Sequence, residues 1–493
     1  MAEDTKRNSL PLSPLPRGVW LIAAFLVLGL LVFAPRYGWH RDELYFLEAG
    51  RHLAWGYVDQ PPLTPFLARI ADALASGNLV VLRFLPAVAA GATVVVGGAT
   101  VREMGGSRRS QIAGAGTLAA GGFLLGAGHL LSTATFDLLA WMVLLWLTAR
   151  MLRTAEPRWW MAIGVVGGIA MLNKSLVVML GVSIVIGLAA TRRWDLLRSP
   201  WIVAGALLAV AIALPNLLWQ ASNGWPQLEM SRRISERLGT ENRILLIPLQ
   251  VLFVGPAFVG LLRRGVRWLR SDAGGSRYET FIWAFVAGMA VTLLTGGRPY
   301  YPVALTLMLV LAGIVAFEQS GRDARELRGL IVVNGVFSLL IALPLLPVSM
   351  ANIPSTVNDT LAETIGWPEL VAQIAATVDS LPDSERDGVV ILTGSYGEAG
   401  AVDRFGPSYG LPPSYSAHNS YADFRRPSDA SATVVAVRYH PDTLAPYFTM
   451  CRQVAEVDNG HGVDNEAQGQ PIVVCRGLRA SWQDVWPKLR HLS

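Results

Sequence analysis

The stretch Gly38 to Pro65, GWHRDELYFLEAGRHLAWGYVDQPPLTP, decides how the chain is read. It follows directly on a long apolar segment and carries adjacent acids, Asp42 and Glu43, next to Arg41. Ionisable groups close to hydrocarbon are costly and tend to be kept for pairing, binding or catalysis. Asp42, lying a few residues beyond the apolar run with a cation to keep it ionised, is read as a catalytic base. Glu43 is the competing candidate, and an Arg41 to Asp42 surface pair or a simple helix N-cap at Asp42 is the bland alternative.

Outward from this stretch, only 16% of the 493 residues are charged and 52% are hydrophobic, against about 25% charged in an average soluble domain. The chain is therefore a polytopic α-helical membrane protein. Apolar windows of spanning length, roughly 17 to 25 residues, recur from Gly18 to Met350 and then stop. They predict about eleven transmembrane helices. Residues 1–350 are read as the membrane part, with a first external loop over 36–78 and another over 219–243, and residues 351–493 as a C-terminal extracytoplasmic α/β domain. No small-residue cleavage site follows the first apolar run, so that run is read as a retained span.

Arginines set the orientation. Lys6 and Arg7 precede the first span, and clusters such as Arg108 with Arg109, Arg263 with Arg264, and Arg322 with Arg325 recur in alternate loops, as the positive-inside rule expects of cytoplasmic segments. The N-terminus is then cytoplasmic, and Asp42 and the C-terminal domain face outward from a plasma (inner) membrane. The net charge of +5 records topology and does not argue for nucleic acid. One loop breaks the rule: the external segment 219–243 holds Arg232, Arg233, Arg237 and Arg243. It is read either as an amphipathic helix on anionic headgroups or as a clamp for a phosphate-bearing lipid.

Within the first loop, Leu44, Phe46, Leu47, Leu53 and Trp55, then Phe66, Leu67, Ile70 and Leu74, fall at helical spacing and predict two interfacial helices. Pro61 and Pro62 break the chain between them, which places Tyr57, Asp59 and Gln60 on a turn beside the bilayer. The C-terminal segment alternates helical patterns (Trp367 to Val378, Gly394 to Val402) with strands (Val389 to Thr393, Thr433 to Val437, Pro471 to Cys475), a small α/β sandwich. Its GSYGEAGA turn could offer backbone N–H groups to an anion, although a plain strand-to-helix turn is the simpler reading. Cys451 and Cys475 are the only cysteines; both fall in this external segment, where disulfides persist, and are expected to pair.

Further candidates sit at the outer ends of spans. Asp137, in STATFDLLAWMVLLW, is read in a supporting role, with capping as the alternative. Lys174, in MLNKSLVVML, can meet a phosphate as a point charge or merely snorkel. Arg298 offers phosphate its donor fork, and Tyr300 and Tyr301 beside it suit an aromatic belt. His40, His52 and His129 lie on the same side but show no HxxxH or HExxH spacing, so the metal is left unknown; no cofactor is certain and a divalent metal is left open.

These motifs, taken in order, resemble the integral-membrane glycosyltransferases of the C superfamily, in particular family 39, which includes protein O-mannosyltransferases and aminoarabinose transferases. The resemblance rests on RDELYFLEAGRHLAWGYVDQPPL after the first span, TATFDLLAW opening the fourth, LNKS between two spans and RPYYPVALTLMLVLAG late in the membrane part. It implies a polyprenyl-phosphate sugar donor, transfer to an acceptor glycan, lipid or protein on the extracytoplasmic face with inversion, and an acid of the first external loop as base, a place taken by Asp42. Tyr57 matches an aromatic of the family's motif. Relatives of the aminoarabinose enzyme carry Lys just before the double proline, whereas this chain has Gln60, so Lys174, Arg298 or the external cluster with Arg232 and Arg233 would have to compensate; Arg41, Tyr57, Gln60 and Tyr301 are further candidates for donor contacts. The rival readings are a lipid-linked sugar transporter or flippase, whose polar groups would gather near the midplane, and an acceptor-binding scaffold.

Overall fold

The computed structural model describes residues 12–272, 274–429 and 433–492; Lys6 and Arg7 lie outside them. The chain divides into two compact units. The first comprises Met1–Phe33, Gln60–Leu63 and Arg83–Leu343, the second Ala34–Asp59, Thr64–Leu82 and Pro344–Ser493.

The apolar runs make the first unit an array of helices. By length and composition four described helices can cross a membrane: Leu79–Glu103, Thr133–Thr154, Pro200–Ser222 and Ser276–Thr295. Pro226–Val254 with Pro256–Leu269 becomes a fifth if the pair, bent by 89°, is one broken span. Shorter apolar helices cover Arg17–Phe33, Trp159–Met171, Val177–Ala190 and Val303–Gln319. The last is apolar all round and buried on nearly every side, as a helix without a polar face must be. Where Trp160–Gly164 crosses Gly205 the backbones nearly touch, since a Cβ on Gly205 would lie 2.3 Å from the Trp160 carbonyl oxygen. Such small-residue contacts let apolar helices associate without a hydrophobic drive between them.

Fewer described helices reach spanning length than the eleven expected, and two of the apolar runs are broken. Residues 110–129 form two helices, Arg108–Ala119 and Gly122–His129, with a break between. Residues 244–262 run across the bend at Gly255, whose φ of 115° suits glycine. Both breaks leave orphan carbonyls that need donors, and one buried side chain serves both: Asn334 Nδ2 donates to Ala120 O (2.9 Å) and Val254 O (3.3 Å). The arginine-rich segment 219–243, placed in an external loop and read either as an amphipathic helix or as a clamp, is mostly helical. Most of it forms the first half of the continuous helix Pro226–Val254.

In the second unit a five-stranded sheet has the order β2-β1-β3-β5-β4, with β1 Val390–Thr393, β2 Ser414–Ser416, β3 Thr433–Val437, β4 Phe448–Glu456 and β5 Pro471–Leu478. β1 runs parallel to β2 and β3, while β5 is antiparallel to β3 and β4. A disulfide joins Cys451 to Cys475, which face each other in the β4–β5 register. Val390, Leu392, Val434, Val473, Phe448 and Trp482 fill the core on one side.

Most of the first external loop, expected within the membrane part, packs instead in this second unit; only Gln60–Leu63 belongs to the first. Its helix Arg41–Arg51 is no interfacial helix: Leu44, Phe46 and Leu47 are buried, and a Cβ on Gly400 would meet the Leu44 backbone carbonyl carbon at 3.0 Å. The helix ends at Arg51, so Leu53 and Trp55 lie beyond it and are exposed. In the second pattern, helix Leu63–Leu74, Phe66, Ile70 and Leu74 form an exposed apolar stripe as expected of an interfacial helix.

Candidate active site

Asp42 occupies the first turn of the helix Arg41–Arg51 but does not cap it. His40 is the N-cap: its Nδ1 accepts the Asp42 N–H (3.2 Å), and Glu43 accepts the His40 N–H (2.9 Å), completing a capping box. Glu43 is thereby buried and occupied, whereas Asp42 is only half-buried. Its Oδ1 accepts a hydrogen bond from the Tyr396 hydroxyl at 2.8 Å. Its Oδ2 has no hydrogen-bond partner among the described residues, and the side chain is 35% exposed. The expected Arg41 to Asp42 pair is loose, at 3.8 Å.

A second carboxylate sits close by. Asp59 Oδ1 accepts from the Tyr45 hydroxyl (2.9 Å) and Oδ2 from Asn419 Nδ2 (3.2 Å). Burial, with the Asp42 charge adding to it, pushes Asp59 up to about 6 against the bonds that hold its charged form. The rings of Tyr45 and Tyr396 stack at 4.6 Å, so the two hydroxyls serve two carboxylates from one aromatic stack. Val58 N–H donates to Ser420 Oγ (2.9 Å), fixing the chain just before Asp59.

Several residues expected to contact a donor are committed elsewhere in this unit. Arg41 Nη1 binds Glu466 at 2.6 Å and approaches Glu363 at 3.8 Å. Burial raises Glu363 to about 7, while Arg41 and Arg438 hold Glu466 down at about 2 despite its burial. Tyr57 is buried and donates to Ala49 O (2.9 Å), the helix end it closes; burial pushes its hydroxyl up to about 12. The GSYGEAGA turn satisfies its own amides, because Ser395 Oγ accepts from Gly397 N–H and His418 Nδ1 from Tyr396 N–H.

In the first unit, Lys174 Nζ is 2.9 Å from the Tyr300 hydroxyl and lies over the rings of Tyr300 (4.6 Å) and Tyr301 (5.2 Å). Asp137 is buried and interacts electrostatically with Lys174. It is not the cap of its helix, a place held by Ser132, and with Phe123, Trp141, Tyr300 and Tyr301 it lines a cavity of about 10 Å³, room for about one water. Leu63 N–H donates to Leu172 O (2.8 Å), tying the double-proline turn to the turn that carries Lys174. On that turn Gln60 is buried and its Nε2 has no hydrogen-bond partner among the described residues.

The remaining arginines of the first unit are largely on its surface, with Arg298 interacting electrostatically with Tyr301. Arg232 and Arg233 are exposed on the helix Pro226–Val254, with Arg233 paired to Glu229 (3.1 Å). Arg243 caps the helix Thr280–Thr295 through Leu293 O and Leu294 O. Arg298 is exposed. His129 lies against Arg83 (3.3 Å), and His52 pairs with Glu48 (3.3 Å). Among the described residues no group of three or more His, Cys, Asp or Glu side chains could hold a metal ion. Tyr396, Tyr45 and Asn419 were missed by sequence reasoning, since nothing local to them signals a partner in a distant segment.

Apolar helices of spanning length with polar clusters at their ends define a multi-pass integral-membrane fold. Residues 59–219 match the family model described as Dolichyl-phosphate-mannose-protein mannosyltransferase. The crystal structure of ArnT from Cupriavidus metallidurans bound to undecaprenyl phosphate is 16% identical, with a TM-score of 0.60 over 92% of this chain and 97% of that one. The apo state of the same protein matches equally well. A looser likeness, 13% identical with a TM-score of 0.46, is to the oligosaccharyltransferase from Archaeoglobus fulgidus, over 85% of this chain and 68% of that one. No curated protein sequence matches the chain.

Proposed function

We propose that the chain is a membrane glycosyltransferase that moves a sugar from a polyprenyl-phosphate donor to an acceptor hydroxyl on the extracytoplasmic face, with inversion. Asp42 Oδ2 takes the acceptor proton as the new C–O bond forms at the anomeric carbon. The bond from that carbon to the phosphate oxygen breaks, and polyprenyl phosphate leaves with its electron pair. The observation that carries this reading is the state of Asp42: one oxygen held, one without a hydrogen bond, the side chain partly exposed. A general base needs such a free lone pair within reach of its proton. The match over residues 59–219 to a family named for dolichyl-phosphate-mannose chemistry supports a lipid-linked donor, as does the fold shared with an undecaprenyl-phosphate-bound ArnT.

For the leaving phosphate we assign Lys174 as the principal cation of the membrane unit. It is tied through Leu172 to the double-proline turn, where relatives of the aminoarabinose enzyme carry the lysine that Gln60 replaces. The unpartnered Gln60 Nε2 supplies a neutral donor on the same turn. The test is mass spectrometry of lipid that copurifies with the full chain. A polyprenyl phosphate, free or sugar-linked, is expected in the wild type and depleted in Lys174→Met; ordinary phospholipid alone in both would overturn the donor assignment.

A further inference from the structure

Tyr396 stands 354 positions from Asp42 in the sequence, yet its hydroxyl donates to Asp42 Oδ1 at 2.8 Å. It is not placed there casually. It opens the helix Tyr396–Phe405 straight after β1, with Ser395 as N-cap. Its ring is stacked between Tyr45 (4.6 Å) and His418 (4.8 Å). Its backbone N–H donates to His418 Nδ1 (3.3 Å), which requires that nitrogen to be unprotonated. His418 satisfies the requirement: burial, assisted by His491, Arg438 and Arg41, holds it down at about 3. His418 in turn stacks on His491 (4.7 Å), and the adjacent backbone pairs, Asn419 N–H to His491 O (3.0 Å) and His491 N–H to Ala417 O (3.1 Å).

From this arrangement we infer that the C-terminal domain is part of the catalytic apparatus, with Tyr396 as the positioning residue that fixes the Asp42 carboxylate and directs its free oxygen toward the acceptor. The inference rests on the reading of Asp42 as base. A hydroxyl clamp on Oδ1 removes rotation about the carboxyl bond and leaves Oδ2 to receive the proton, the kind of preorganisation on which proton transfer depends. The other charged and titratable groups facing Asp42 are His40, Arg41 and Asp59, and Tyr396→Phe leaves all three unchanged.

The experiment measures transfer by the full-length protein in nanodiscs, with undecaprenyl-phosphate mannose as probe. Tyr396→Phe, which keeps the ring and its stacking, lowers kcat about ten-fold and leaves KM for the lipid unchanged. Tyr421→Phe, which removes a comparable buried hydroxyl from Asp403, leaves kcat unchanged. Wild-type kcat in folded Tyr396→Phe protein, or an equal loss in Tyr421→Phe, overturns the inference. Full turnover in Asp42→Asn would instead remove the base reading.

Discussion

Replacing Arg425 by Met tests how the helix that carries Asp42 is held. Arg425 Nη2 lies 2.5 Å from both Glu48 Oε1 and Asp403 Oδ2, and the two acid side chains are each only 7% exposed. Removing one partner of a buried ion pair costs about 3–5 kcal/mol. Here the lower end applies, because Asp403 keeps Tyr421 and the Ser414 N–H (2.9 Å), and Glu48 keeps Arg51 (3.1 Å). About 3 kcal/mol corresponds to a factor of about 150 in an opening equilibrium. Hydrogen exchange should show that loss of protection in the amides of Arg41–Arg51 at pH 7.5. Burial already raises the Asp403 carboxyl, and Arg425 opposes this, so the variant's Asp403 rises further. A carboxyl raised above its unfolded value, about 3.9, favours the fold only where it is protonated, and this contribution fades as pH climbs through the folded value. The deficit should therefore shrink as pH falls toward 5. Unchanged protection at pH 7.5, or a deficit that grows on acidification, would refute the reasoning.

Other expectations follow from the second unit. Changing Cys451 and Cys475 to Ser opens the β4–β5 link; closure of a loop of this size is worth about 3 kcal/mol, so limited proteolysis of the C-terminal domain should accelerate, and wild-type protein without reductant should offer a thiol reagent nothing to label. His418, held neutral down to about 3, binds a proton only when unfolded at intermediate pH, so the fold loses stability as pH drops below about 6.5. The stability lead of wild type over His418→Asn should shrink on acidification by at most about 1.4 kcal/mol per pH unit, read by denaturant unfolding; a lead that widens would contradict the assignment.

What the sequence disclosed depended on whether the signal was local. Sustained apolarity marked the helices, and the strands Thr433–Val437 and Pro471–Leu478 were readable from buried β-branched runs. β4 was not, because it is an edge strand with most of its residues exposed and its sequence, FTMCRQVAE, lacks an apolar alternation. The arginines of 219–243 suggested a loop because charge interrupts apolarity, yet a helix carries charge on an exposed face at little cost, as Arg232 and Arg233 do. The cap alternative to the base reading of Asp42 rested on the preference of acids for helix starts, and the geometry puts His40 in that place. The arginine beside it looked like a phosphate ligand, but Glu466 and Glu363, more than 300 positions away, engage it. Tyr57 matched a family aromatic, and the structure gives its hydroxyl to the end of a helix. The commitment of Arg41 in particular involves partners distant in the chain that periodicity and motif spacing cannot reveal.

The most direct test replaces Asp42 by Asn, which keeps the shape and the acceptor for Tyr396 but removes the basicity. In correctly folded full-length protein in nanodiscs, transfer from undecaprenyl-phosphate mannose should fall by about 10²- to 10⁴-fold, the usual contribution of a general base, while lipid binding is retained. Wild-type turnover in Asp42→Asn would contradict the account.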